Sequence, residues 1–139
     1  MRERVREARV GRLATLDADG RPHLVPFCFA LDGDVLYSAV DEKPKRSKRL
    51  KRLETIRRRP EVAVIVDHYE EDWTRLWWVR LDGTARVLES GSEREHALAL
   101  LRSKYEQYRS QPPSDAVIAV DIERWRRWPA GGGAPGRRE

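Results

Sequence analysis

Only one cysteine, Cys28, occurs in 139 residues, which excludes an intramolecular disulfide and any site built from several thiolates. No apolar run approaches the roughly 18 residues that a bilayer-spanning helix needs. The opening MRERVREARV lacks the apolar stretch of a signal peptide. The three histidines, His23, His68 and His96, are far apart and show no metal-ligand spacing. No internal repeat, nucleophile elbow or Walker sequence is present, and Gly131–Gly133 has neither the strand before it nor the helix after it that a nucleotide loop requires. With 40% hydrophobic and 37% charged residues, the chain is too apolar for a disordered protein and too charged for a membrane protein. These absences predict a soluble cytoplasmic protein of one domain, residues 1–128, followed by a disordered Gly/Pro-rich tail, 129–139.

What is present is unevenly charged. The net charge is +5, yet residues 43–59 alone carry ten basic side chains and one acid, Glu54. The rest of the chain is therefore mildly acidic, and the cationic segment points to a localised anionic partner.

Short elements follow from patterning. Residues 2–10 read as an amphipathic helix with Val5 and Ala8 inward, stopped by Gly11. Arg12–Leu16, Pro22–Leu31 and Val35–Val40 read as strands separated by Asp-Gly turns, with Pro26 marking an edge or bulge. A helix is predicted from about Pro44 to Arg58, with Leu50, Leu53 and Ile56 on one stripe and Pro60 as its stop. Val62–Val66 reads as a strand buried on both faces. Trp73–Leu81 and Thr84–Leu88 read as a hairpin turning at Asp82-Gly83, and Ser92 with Glu95 as a capping box opening a helix to Tyr108. Val117–Ile122 is the last predicted strand. The short connections favour a mainly β architecture, an antiparallel barrel with appended helices.

The strongest chemical signal is electrostatic. A helix amino terminus carries partial positive charge, so bases there cost roughly 0.3–1 kcal/mol each. Lys43, Lys45, Arg46, Lys48 and Arg49 crowd this one. A bound phosphate would reverse the sign, because free N–H groups and cationic side chains would converge on it. A generic nucleic-acid patch or a plain solvated helix are the competing readings. Tyr37 and Ser38, just before this helix, could add a hydroxyl to the same anion or serve as ordinary strand residues. In Trp77-Trp78-Val79-Arg80, strand alternation separates Trp77 from Trp78. Two adjacent indoles cannot share one core, so one should cover a partner or a planar ligand, or the pair fills the barrel rim. Arg80, on the face of Trp78, is a second candidate anion contact. Cys28 reads as a small core residue, and Asp67-His68 as a strand end more readily than an acid–base pair.

The succession Gly11-Arg12-Leu13-Ala14-Thr15-Leu16, Asp19-Gly20-Arg21-Pro22-His23, Val35-Leu36-Tyr37-Ser38, a basic helix ending in Arg59-Pro60, then Val62-Ala63-Val64, resembles the pyridoxamine 5′-phosphate oxidase-like split-barrel superfamily. Trp77-Trp78-Val79-Arg80-Leu81-Asp82-Gly83-Thr84-Ala85 is similar to that superfamily's strand and glycine hairpin. Asp41-Glu42-Lys43-Pro44-Lys45, Asp67-His68-Tyr69 and Asp72-Trp73 resemble the subgroup of oxidoreductases that use coenzyme F420, a deazaflavin. The likeness spans about residues 5–128.

The resemblance implies a homodimer of six-stranded antiparallel split β-barrels of Greek-key type, with cofactor sites in clefts between subunits and a small-molecule substrate. It places the cofactor phosphate at Tyr37, Ser38, Lys43, Lys45 and Arg46, with Arg49 and Arg52 further along, and the ring beside Val25, Pro26 and Trp78. The second strand, His23-Leu24-Val25-Pro26-Phe27-Cys28, lacks the Arg and Lys with which the oxidase grips FMN, and Trp78 replaces a glutamine that helps bind flavin. The oxidase's carboxy-terminal Arg and His have no counterpart in Ile122-Glu123-Arg124-Trp125. These departures disfavour vitamin B6 oxidation and favour F420 over FMN. The rivals are an FMN or haem carrier on the same barrel, a structural dimer with an empty cleft, and a nucleic-acid module using residues 43–59, which is disfavoured; no membrane partner is expected.

Overall fold

Alternation of apolar and polar residues along the extended segments gives each strand one dry face, and those faces meet in a curled sheet. The structure, a computed structural model, describes residues 1–40, 46–113 and 115–129, with residues 46–50 described by backbone alone. In chain order the elements are α1 (Arg2–Glu7), β1 (Gly11–Leu16), β2 (Pro22–Phe27), β3 (Ala30–Asp32), β4 (Val35–Ala39), α2 (Arg46–Arg58), β5 (Glu61–His68), a 3-10 turn (Trp73–Arg75), β6 (Trp77–Leu88), α3 (Ser92–Lys104), α4 (Glu106–Ser110) and β7 (Val117–Trp128). Among the described residues the strands run in the order β2-β1-β5-β6-β7-β4-β3, and every pairing is antiparallel. The mainly β, antiparallel class expected from the short connections forms, but as a curled half-barrel rather than a closed barrel.

The core lies on the concave side. Leu13, Leu36, Val62, Val64, Val66, Val79, Leu81, Ile118 and Val120 meet Leu53 and Ile56 of α2 and Val5 of α1. Each fully buried aliphatic side chain of this kind stabilises by about 1.5–3 kcal/mol. A second cluster, Tyr37, Ala97, Leu98, Val117 and Ala119, seats α3 on the opposite face of β4 and β7. The outer face of β1, β5 and β6 has no such cover. Val62, Val64 and Val66 are buried while Ala63 and Ile65 between them are only half-buried, so the expectation that β5 is dry on both sides fails in the single chain.

Several other boundaries differ from the sequence reading. Seven strands form, not the six that the resemblance implies: Pro22–Leu31 breaks at Cys28-Phe29 and its halves go to opposite ends of the sheet order, while the two runs read between 73 and 88 fuse into one. Pro26 does sit on an edge strand, where its missing N–H costs no ladder bond. Residues 77–88 form one continuous strand rather than a hairpin at Asp82-Gly83. Gly83 is there for clearance: a Cβ would stand 2.3 Å from the Asp121 carbonyl oxygen, at the register shift between β6 and β7. The Ser92–Glu95 capping box does not form, since Gly91 is the N-cap and no side chain caps the helix. The helix also breaks at Tyr105, whose hydroxyl donates to the Arg9 carbonyl at 2.8 Å and accepts from the Phe29 N–H at 3.1 Å. The last strand runs on to Trp128, and α1 stops at Glu7. Of the basic helix, α2 begins at Arg46; the expected start at Pro44 and the tail from 130 lie outside the described residues.

Gly83→Ala should destabilise the chain by about 3 kcal/mol, the upper end for overpacking, because the atom in the way is backbone. Urea unfolding measures it; an unchanged midpoint would mean that β6 and β7 separate at little cost.

Candidate functional site

The half-barrel does not close between β2 and β4. Strand β3 pairs only with Val35–Tyr37, so Ser38 and Ala39 lie beyond its end. A cavity of about 290 Å³ opens in this seam, lined by Pro26, Phe27, Cys28, Ser38, Ala39, Arg52, Tyr105, Gln107 and Tyr108. Ser38, 7% exposed, presents its side chain to this cavity. Arg52 brings a guanidinium from α2 to the same cavity. Behind Cys28, the half-buried Lys104 donates to the Phe29 carbonyl at 2.9 Å and lies 4.1 Å from the centre of the Phe29 ring. Burial, with Arg9 nearby, pushes its ammonium down to about 8. Burial also raises the Tyr105 phenol to about 12, against the Phe29 hydrogen bond, which lowers it, so it stays protonated as the tie between α3, β3 and the amino-terminal segment.

A second, larger cavity of about 560 Å³ lies on the uncovered outer face, lined by Ile65, Asp67, Tyr69, Leu76, Trp77, Trp78, Arg80 and Trp128. Register puts Pro26, Arg12, Ile65 and Arg80 in one row across β2, β1, β5 and β6. With strands about 4.8 Å apart, the seam and the outer cleft are roughly 14 Å from each other on one face. Asp67 pairs with Arg12 at 3.5 Å, and His68, stacked on Trp77, is bonded to Glu70.

Tyr37 belongs to neither cavity. Neighbouring strand residues face opposite ways, so Ser38 reaches the seam while Tyr37 packs under α3, 4% exposed. Its hydroxyl donates to Glu93 Oε2 at 2.9 Å. Arg86 grips Glu93 at 2.9 Å and Asp121 at 2.7 Å. That guanidinium, with the Tyr37 hydrogen bond, holds the Glu93 carboxyl down at about 2, and burial with the Glu93 contact lifts the Tyr37 phenol to about 12.

The structure thus divides the expected residues. Ser38, Pro26 and Arg52 meet at the seam, and Trp78 and Arg80 at the outer cleft. Val25 turns to the core and Tyr37 to the α3 cluster. Lys43 and Lys45 lie outside the described residues, and Arg46 and Arg49 are placed on α2 by backbone alone. Cys28 lines the seam rather than the core, because the chain leaves β2 there. Sequence reading missed Tyr105, Gln107 and Tyr108, which reach the seam from more than fifty residues away. It also missed Trp128, because Trp125-Arg126-Arg127-Trp128 does not alternate and gives no local strand signal.

A model of the family described as pyridoxamine 5′-phosphate oxidase matches residues 1–129. No curated protein matches the chain. Among solved structures, a conserved hypothetical protein from Mycobacterium tuberculosis is similar with a TM-score of 0.74 and 19% identity, covering 91% of this chain and 80% of that one. A FAD-binding protein from Mesorhizobium loti has a TM-score of 0.67 and 25% identity, over 91% of this chain and 89% of that one. The heme storage protein HutZ from Vibrio cholerae has a TM-score of 0.68 and 19% identity, with the same coverages of 91% and 89%.

The Glu93 carboxyl titrates lower in the folded chain than the 4.5 of an unperturbed glutamate, so its contribution to stability is complete above about pH 5 and is lost as pH falls toward 2. Glu93→Gln should lower the unfolding midpoint at neutral pH, and the gap from the parent should shrink steadily below pH 5. A gap that stays constant through this range would show that Arg86 and Tyr37 do not select the ionised form.

Proposed function

Because the chain belongs to the pyridoxamine 5′-phosphate oxidase family, we propose that it is an oxidoreductase that uses a phosphate-bearing deazaflavin, coenzyme F420, with FMN as the alternative cofactor. The observation that carries this reading is the seam itself, where the hydroxyl-bearing Ser38 and Arg52 line one cavity. It fits a phosphoryl group, whose oxygens would accept from the hydroxyl and meet the guanidinium. Lys43, Lys45, Arg46 and Arg49 would add charge from the approach to α2 and its first turns.

A seam of about 290 Å³ lies below the range of roughly 300–1,000 Å³ usual for a whole small ligand. It therefore suits one end of the cofactor, and the ring must continue over Pro26 onto the outer face. A second copy of the chain laid on that face would close over the ring at Pro26 of one copy, leave the Trp78 cleft of the other open beside it, and cover Ile65, Ala63 and the 68%-exposed Leu24. The bound cofactor supplies hydride chemistry. The chain's residues bind and orient it and exclude water; no side chain is needed as a nucleophile. The substrate is a small molecule that enters the cleft between copies. Deazaflavin is favoured over FMN by β2, where Leu24 and Pro26 stand in place of cationic grips.

A haem carrier keeps the same barrel, as in the heme storage neighbour, but no described feature of the seam favours a tetrapyrrole. The nucleic-acid reading is weakened at the carboxy-terminal end of the basic segment. Arg57 pairs with Glu89 at 2.6 Å, Arg58 with Glu54 at 3.0 Å, and Arg59 donates to the Ala18 carbonyl at 3.3 Å.

Fluorescence titration with oxidised F420 and with FMN should give saturable binding, tighter for F420; no binding of either overturns the redox reading. In the Lys45→Ala, Arg46→Ala double variant the loss should be about 1.5–3 kcal/mol for each charge-assisted contact removed. Unchanged affinity would move the phosphate elsewhere. Sedimentation should give twice the 16.2 kDa chain mass at micromolar concentration, and a monomer would contradict the shared cleft.

A further inference from the structure

Arg80 and Arg126 stand directly opposite each other on β6 and β7, and Trp78 and Trp128 form the next register pair on the same face. Like charges in opposed strand positions repel. Here the Nε of each guanidinium is also shielded from solvent without a hydrogen-bond partner. Arg80 Nε lies 3.4 Å from Asp82 Oδ1, an ion pair too loose to satisfy it as a donor. Among the described residues no carboxylate pairs with Arg126. The remaining nearby acid, Asp67, is already engaged by Arg12. Two half-exposed guanidiniums, each with its Nε shielded, thus stand beside two indoles, Arg80 on the wall of the outer cleft and Arg126 opposite it on β7.

The surroundings define what could bind between them. The outer cleft is about 560 Å³, large enough for a small molecule, and its walls are Trp78, Trp128, Tyr69, Leu76 and Ile65. Flat aromatic surfaces stack on indole faces, and a carboxylate meets guanidinium forks through paired short hydrogen bonds. We propose that this cleft anchors the substrate as a flat aromatic carboxylate, its ring against Trp78 and Trp128 and its oxyanion between Arg80 and Arg126. The assignment rests on the oxidoreductase reading only for the word substrate; the binding itself needs no cofactor. An acidic group from a second copy is the competing occupant of the arginine pair, and it would leave the cleft indifferent to ligand charge.

The test is calorimetric titration of the full, cofactor-free chain with 2-naphthoate and with its neutral counterpart 2-naphthamide. The acid should bind about tenfold or more tightly than the amide. Arg80→Met and Arg126→Met, which keep the side-chain stem, should each bring the two affinities together while naphthamide binding persists. Lys51→Met, the same charge change on exposed α2, should preserve the difference. Equal affinity for acid and amide in the parent, no saturable binding of either, or a preference that survives both arginine substitutions would overturn the assignment. Failure of F420 and FMN to bind would end the redox reading and leave this result standing, whereas indifference to ligand charge would end this assignment and leave the redox reading standing.

Discussion

The β6–β7 ladder is the constraint on which the rest depends. Each strand is twelve residues long, and together they carry one row of side chains inward to the core and another outward to the bare face. Gly83 allows the ladder to run through its register shift without a side chain meeting the Asp121 carbonyl. Because the ladder does not turn at Asp82-Gly83, Trp78 and Arg80 stay in line with Trp128 and Arg126. Had the chain reversed there, the outer cleft would not exist.

Two kinds of charge arrangement follow from this frame, and they differ in how fully they are satisfied. Arg86 lies between Glu93 and Asp121 with Tyr37 closing the cluster, so its charge is answered on every side and its role is to hold α3 on the sheet. On the opposite side, Arg80 and Arg126 each hold an Nε sheltered from water with no hydrogen-bond partner among the described residues. Buried polar groups are normally satisfied, so this pair calls for an explanation. Both lie on the outer face, which the single chain leaves open.

Legibility in the sequence followed the range of the interactions. Val62–Val66 was legible as a strand, but its unbroken apolar run could not tell the core face from the outer one. Leu53 and Ile56 showed the core face of α2 because helical spacing is local, and Pro26 marked an edge because its missing N–H forbids a central position. The opposite faces of Trp77 and Trp78 were readable because strand alternation is local. Gly83 misled because an Asp-Gly pair looks the same whether glycine is needed for a turn or for clearance. Tyr37 misled because strand chemistry gives its hydroxyl no address, and Glu93, its partner, is fifty-six residues away.

The sequence by itself settled the period of each element, the inward stripe of α2, the antiparallel class and the concentration of positive charge between residues 43 and 59. These depend on neighbours a few positions apart, whose spacing is fixed by backbone geometry. The tertiary structure alone decided that β2 and β3 part to leave a seam, that Tyr105 and Tyr108 wall it, and that Arg80 meets Arg126 across two strands. Those are matters of register and of which edge stays open, and they are set by packing among segments too distant in the chain for any local pattern to record.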